Sequence, residues 1–169
     1  MHPVRRRLLI ALSLAPLAGA LGACGFRLRG PQPLPFATLY VNLSADTELG
    51  AALRRRIATS GTTRVVDDPA EADMRLEVLQ NSRDREILSL SGDGDVREYT
   101  IMQTIIFRLV RRDGSEALPP TTLSARREYN YDDAHIIARE QEENLLFRDM
   151  EHDLLRQMFD RIAVATPAP

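Results

Sequence analysis

Lysine is absent from this chain, so all 22 of its basic side chains are guanidinium groups. A guanidinium fork donates two parallel hydrogen bonds to a carboxylate or phosphate, so any anionic ligand must be met by a local arginine cluster. Cysteine occurs once, at Cys24. One cysteine excludes an internal disulfide, and a structural zinc site needs several Cys or His ligands. His2, His135 and His152 lie far apart and show no ligand spacing, so no metal site is expected. Long apolar runs are also missing. The best one, Leu8 to Leu17, holds about ten residues with Pro16 inside it, too few to span a bilayer comfortably. No nucleophile elbow, phosphate loop or paired-carboxylate motif occurs. Asp93 and Asp95 hint at a calcium loop, but its later ligands and closing glutamate are missing. The sequence therefore offers no catalytic residues and calls for no cofactor.

What is present begins at the N-terminus. Arg5, Arg6 and Arg7 precede the apolar run, and small residues lead on to Cys24, which is how an export signal is built. Leu21-Gly22-Ala23-Cys24 resembles the bacterial lipobox, in which small residues let a peptidase approach and the thiol receives a diacylglycerol. An uncleaved N-terminal anchor is the competing reading. On the lipobox reading residues 1–23 are removed and Cys24 is the lipidation site. Several acyl chains, palmitate among them, then make attachment lasting where one chain holds only marginally. Gly25 in place of Asp after the cysteine directs such lipoproteins to the outer membrane.

Three of the 22 arginines and none of the 24 acidic residues precede Cys24, so the processed chain carries 19 minus 24, a net charge of −5. That balance argues against general nucleic-acid binding, which needs a basic footprint. Residues 24–37 contain Pro31, Pro33 and Pro35 and read as an extended tether. A single domain is expected over 38–164, with a flexible tail at 165–169.

Within that domain "TLYVNL" reads as a strand. Asp46 is a candidate cap for a helix carrying Leu49, Ala52, Leu53 and Ile57, ended by Gly61. Met74, Leu76 and Val78 alternate with charged residues, and Ile87 to Leu90 resumes the apolar character. "SGDGD" supplies a hairpin turn. Val96 to Arg111 and Leu123 to Tyr131 continue an antiparallel meander with one covered face. From about Ala134 the period turns helical, with Asp132 or Asp133 as cap and Ile137, Leu145, Met150, Leu154, Met158 and Ile162 as the apolar stripe. The expected fold is α+β, a two-layer sandwich of two helices on one face of a mostly antiparallel four-stranded sheet.

"CGFRLRG" followed by "LPFATLYV", together with "REYTIMQTIIFRLV" and the helix ending "ENLLFRDMEHDLLRQMFDRI", resembles the LptE (RlpB) family of outer-membrane lipoproteins of lipopolysaccharide assembly. The resemblance implies a partner subunit that is not an enzyme, sits inside the lumen of the LptD β-barrel and binds lipopolysaccharide. Of the family's two basic ligand positions, one matches Arg139. At the other, in the hairpin, this chain has Ser91, Gly92 and Asp93, leaving Arg97, Arg83 or Arg85 as substitutes. Contacts to the barrel are expected at Thr122 and Arg126, on the sheet face that the helices leave open, and at Gly92 in the loop from Ser91 to Asp95. A lipoprotein scaffold of another envelope complex is the alternative.

Overall fold

The computed structural model describes residues 33–131 and 136–165. Cys24 with the segment before it, and the caps expected at Asp132 or Asp133, lie outside the described residues. Five strands and two helices follow in the order β1 (Thr38–Val41), α1 (Glu48–Ser60), β2 (Arg64–Val66), β3 (Met74–Leu90), β4 (Val96–Arg111), β5 (Glu116–Asn130) and α2 (Ile136–Val164). The sheet order is β2-β1-β3-β4-β5. β1 runs parallel to both β2 and β3, whereas β3–β4 and β4–β5 are antiparallel.

The expected α+β class holds, but the sheet has five strands and is mixed. Strand β2 is three residues long, too short to show alternation, and α1 must cross over from β1 to reach it, which forces the parallel pairing. Thr47, not Asp46, caps α1, its hydroxyl accepting from the Gly50 amide at 3.1 Å. Gly50 is needed here because a Cβ would come within 2.1 Å of the Ser44 carbonyl oxygen. Gly61 ends the helix at φ 73°, where a side chain would be strained.

The core lies between the sheet and the two helices. Leu39, Val41, Leu76, Ile105, Phe107 and Leu109 meet Leu49, Leu53 and Ile57 of α1 and Leu154, Met158 and Ile162 of α2. Leu34 and Phe36 join them, and the Leu34 amide donates to Thr62 Oγ1 at 3.0 Å. The folded unit therefore starts within the segment expected to be tether, because two of its apolar side chains find room in the core. Ala165 at the other end is also buried, in a position assigned to the tail.

Two features of the long β3–β4 hairpin differ from the simple alternation. Between Val78 and Gln80 the register shifts, leaving Leu79 unpaired. Such a bulge flips the parity of the residues after it, here as far as the next register shift at Ile87: Met74, Leu76 and Val78 point to the core, but after the bulge Arg83 and Arg85 take that side. In addition β1 ends at Val41, so from Leu79 to Leu90 one edge of β3 pairs with no strand among the described residues. Asn42 closes the gap where β1 stops, donating from Nδ2 to the Val78 carbonyl at 3.0 Å and accepting the Val78 amide at 2.9 Å.

The stripe on α2 also differs at its start. Phe147, Met150, Glu151, Leu154, Leu155, Met158, Phe159 and Ile162 are buried, while Ile137 and Leu145 are 74% and 57% exposed. Extended back by 3.6 residues per turn, the inward stripe falls on Glu143 and Arg139. The first turns of α2 thus present charged groups to the sheet.

Candidate functional site

Two surfaces contain Thr122, Arg126, Gly92 and Arg97, four of the residues singled out in the sequence. The first is the sheet face opposite the helices. Thr122, Ser124, Arg126 and Glu128 of β5 lie beside Met102, Thr104 and Ile106 of β4, since Thr122 pairs with Ile106 and Arg126 with Met102. The surface is polar and internally paired. Arg126 donates to Thr100 Oγ1 at 3.2 Å and lies 3.3 Å from Glu128, and Arg108 contacts Glu77 at 2.7 Å. Of the residues named above, Thr122 and Arg126 are both exposed here, and no described element covers them.

The second surface is the hairpin end, where Leu90 pairs with Val96 and Glu98 with Asn130. Ser91 organises the turn. Its amide donates to the Asp95 carbonyl at 2.7 Å, its carbonyl accepts the Gly94 amide at 3.1 Å, and its hydroxyl accepts the Asp95 amide at 3.0 Å. Gly94 supplies the positive φ of 92°, and Gly92 is exposed with open space around it. Arg97 is exposed, and its guanidinium has no carboxylate partner among the described residues. Its backbone carbonyl accepts the Tyr131 amide at 2.8 Å, tying the end of β5 to the start of β4. Exposed Ile87, Leu88 and Leu90 give this end an apolar rim.

Arg139 sits in the first turns of α2. The sequence spacing pairs it with Glu143, four residues on. The structure pairs it instead with Glu142, at 2.6 Å, and leaves its Nε buried without a hydrogen-bond partner. Glu143 is taken from the sheet: Arg85 donates to it at 3.1 Å, and the Tyr129 hydroxyl donates to the same oxygen. Burial, and then the Glu143 carboxylate, push the Tyr129 hydroxyl pKa above its ordinary value. Arg85 also lies 4.8 Å from the Tyr99 ring, which stacks on Tyr129 and meets Tyr131 edge-on.

Arg83 and Arg85, considered as substitutes for the missing hairpin base, are therefore engaged beneath α2. Arg83 donates to Glu151 at 3.0 Å and to Glu48 at 3.2 Å and lies over the Phe147 ring. The bulge at Leu79 is what turns them inward. Arg97, on the hairpin end, and Arg139, in the first turns of α2, remain as the basic candidates. Among the described residues no group of three or more His, Cys, Asp or Glu is placed to hold a metal, and no helix is long and apolar enough to cross a membrane.

A mixed sheet backed on one face by two helices, with its other face uncovered among the described residues, defines an α+β two-layer domain. Three solved lipoproteins share this architecture. Lipoprotein B from Nitrosomonas europaea is 28% identical, with a TM-score of 0.69 over 82% of this chain and 90% of its own. Rare lipoprotein B from Shewanella oneidensis is 25% identical, with a TM-score of 0.65 over 75% and 93%. A minor lipoprotein from Acinetobacter baumannii is 28% identical, with a TM-score of 0.61 over 78% and 93%. In sequence, the LPS-assembly lipoprotein LptE of Pectobacterium atrosepticum is 26% identical over 164 residues, covering 94% of this chain and 86% of that protein. The LptE family model, described as lipopolysaccharide-assembly, matches residues 36–162. This chain belongs to the LptE family.

Proposed function

We propose that this protein is a lipid-anchored outer-membrane subunit that plugs the LptD β-barrel and assists the placement of lipopolysaccharide at the cell surface. The observation that carries this reading is the uncovered sheet face around Thr122 and Arg126. Both helices lie on the opposite side, so this face is left for a partner, and its mixture of hydroxyl, carboxylate and guanidinium groups suits the polar interior of a large barrel. Gly92, at the tip of the hairpin, extends the same contact. Lipopolysaccharide is held at the hairpin end and the first turns of α2, where Arg97 and Arg139 supply guanidinium groups for its phosphates and Leu88 and Leu90 supply apolar surface. Cys24 carries the lipid that keeps the domain at the membrane.

Purification of the tagged full chain from envelope membranes tests the proposal. A large β-barrel should come with it in equal amount, and recovery of a different envelope complex without any barrel would favour the scaffold alternative. Fatty-acid label should enter the wild-type chain and be absent from Cys24→Ala, whereas label retained by the variant would refute the anchor.

A further inference from the structure

Between α1 and α2, on the side away from the sheet, lies a groove of about 350 Å³ lined by Ala52, Arg55, Arg56, His152, Leu155 and Arg156. Each helix supplies three residues at i, i+3 and i+4, so one stripe of α1 faces one stripe of α2 across it. The floor is apolar, from Ala52 and Leu155. The walls are three guanidinium groups and an imidazole, gathered in a chain whose acidic residues outnumber its basic ones.

Structural duties account for only part of this charge. Arg56 lies 5.6 Å from the Phe159 ring and so bridges the two helices at one end of the groove. Arg156 pairs with Asp153 at 2.6 Å, but that carboxylate is shared with Arg127, 3.0 Å away on the sheet. Arg55 has neither a carboxylate nor an aromatic partner among the described residues. Three like charges converging on one recess repel each other, and an anion between them relieves the repulsion. Guanidinium groups arriving from two sides match the tetrahedral oxygens of a phosphate better than a planar carboxylate, because each fork can take a different pair of oxygens.

We infer that this groove binds a phosphate group, with Arg55, Arg56 and Arg156 as its donors, His152 as a further hydrogen-bonding group, and the Ala52–Leu155 floor receiving the aliphatic part next to the phosphate. The site is separate from Arg97 and Arg139 and does not depend on the barrel partnership.

Calorimetric titration of the purified full-length protein, with inorganic pyrophosphate and separately with soluble dihexanoyl phosphatidic acid, tests the inference. Saturable binding of phosphate is expected, and Arg55→Gln should weaken it at least about tenfold, the scale of one lost charge-assisted hydrogen bond. Arg161→Gln, which changes an exposed arginine of α2 outside the groove, should leave it unchanged. Tighter binding of phosphatidic acid than of pyrophosphate assigns the phosphate to a lipid headgroup, whereas equal or weaker binding assigns it to a free phosphate and overturns the role given to the Ala52–Leu155 floor. If Arg56→Gln also lowers the melting temperature through loss of its Phe159 contact, Arg55→Gln alone carries the comparison. No saturable binding of either probe, or equal weakening by Arg55→Gln and Arg161→Gln, would overturn the inference.

Discussion

Arg83 on β3 reaches beneath α2 to donate a 3.0 Å hydrogen bond to Glu151, whose side chain is only 4% exposed. On the sheet Arg83 pairs with Gln103, which is fully buried and donates to Asn81 at 3.1 Å. The buried apolar side chains form two clusters, the main core and a smaller one of Ile101, Tyr129, Phe147 and Met150, with Ala125 packed against both. Removing the guanidinium would leave a buried carboxylate without its donor. Arg83→Ala is expected to lower unfolding stability by about 2 kcal/mol, the scale of a charged hydrogen bond tempered by the partial exposure of Arg83. Urea denaturation of the two proteins measures it, and equal midpoints would show that Glu151 is satisfied without Arg83.

The Tyr129 hydroxyl links sheet and helix through Glu143, and its pKa lies above the ordinary value of about 10. A folded-state pKa raised in this way favours the neutral hydroxyl. Its stabilisation is fully present below the unfolded value and is lost as pH rises from about 10 toward the folded one. Wild type should therefore lose stability above pH 10 more steeply than Tyr129→Phe, which has no hydroxyl to ionise. Parallel melting-temperature profiles between pH 8 and pH 11 would contradict this.

Arg139 separates a ligand role from a local one. Its bridge to Glu142 is a half-buried i,i+3 pair within one helix, worth about 1 kcal/mol, whereas a guanidinium contact to a phosphate contributes about 1.5 to 3 kcal/mol. Arg139→Gln should weaken lipopolysaccharide binding about tenfold while the melting temperature stays nearly unchanged. Unchanged binding with a lowered melting temperature would reduce Arg139 to a helix-stabilising residue.

How far the sequence revealed this arrangement depended on whether a local rule decided it. Gly61 and Gly94 stand where the chain needs a positive φ, and the helix end and the hairpin follow from them. Strand β4 alternates along a continuous run, so its buried face at Ile101, Ile105 and Phe107 was legible. The inward turn of Arg83 and Arg85 was not, because one unpaired residue at Leu79 reversed the parity and nothing in "VLQNS" marks the bulge. Ile137 and Leu145 misled because they are apolar, whereas the helical phase set by Phe147 and Met150 puts Glu143 and Arg139 inside. Arg55 and Arg56 were not singled out in the sequence, because their convergence with His152 and Arg156 required the packing of two helices distant in sequence.

Site-specific photocrosslinking in living cells tests the plug assignment most directly. Photoreactive residues at Thr122, Arg126 and Gly92 sit on the open sheet face and the hairpin tip and leave the helix-covered core untouched. Each is expected to trap the same large outer-membrane β-barrel. Adducts with unrelated periplasmic proteins only, from all three positions, would contradict the assignment.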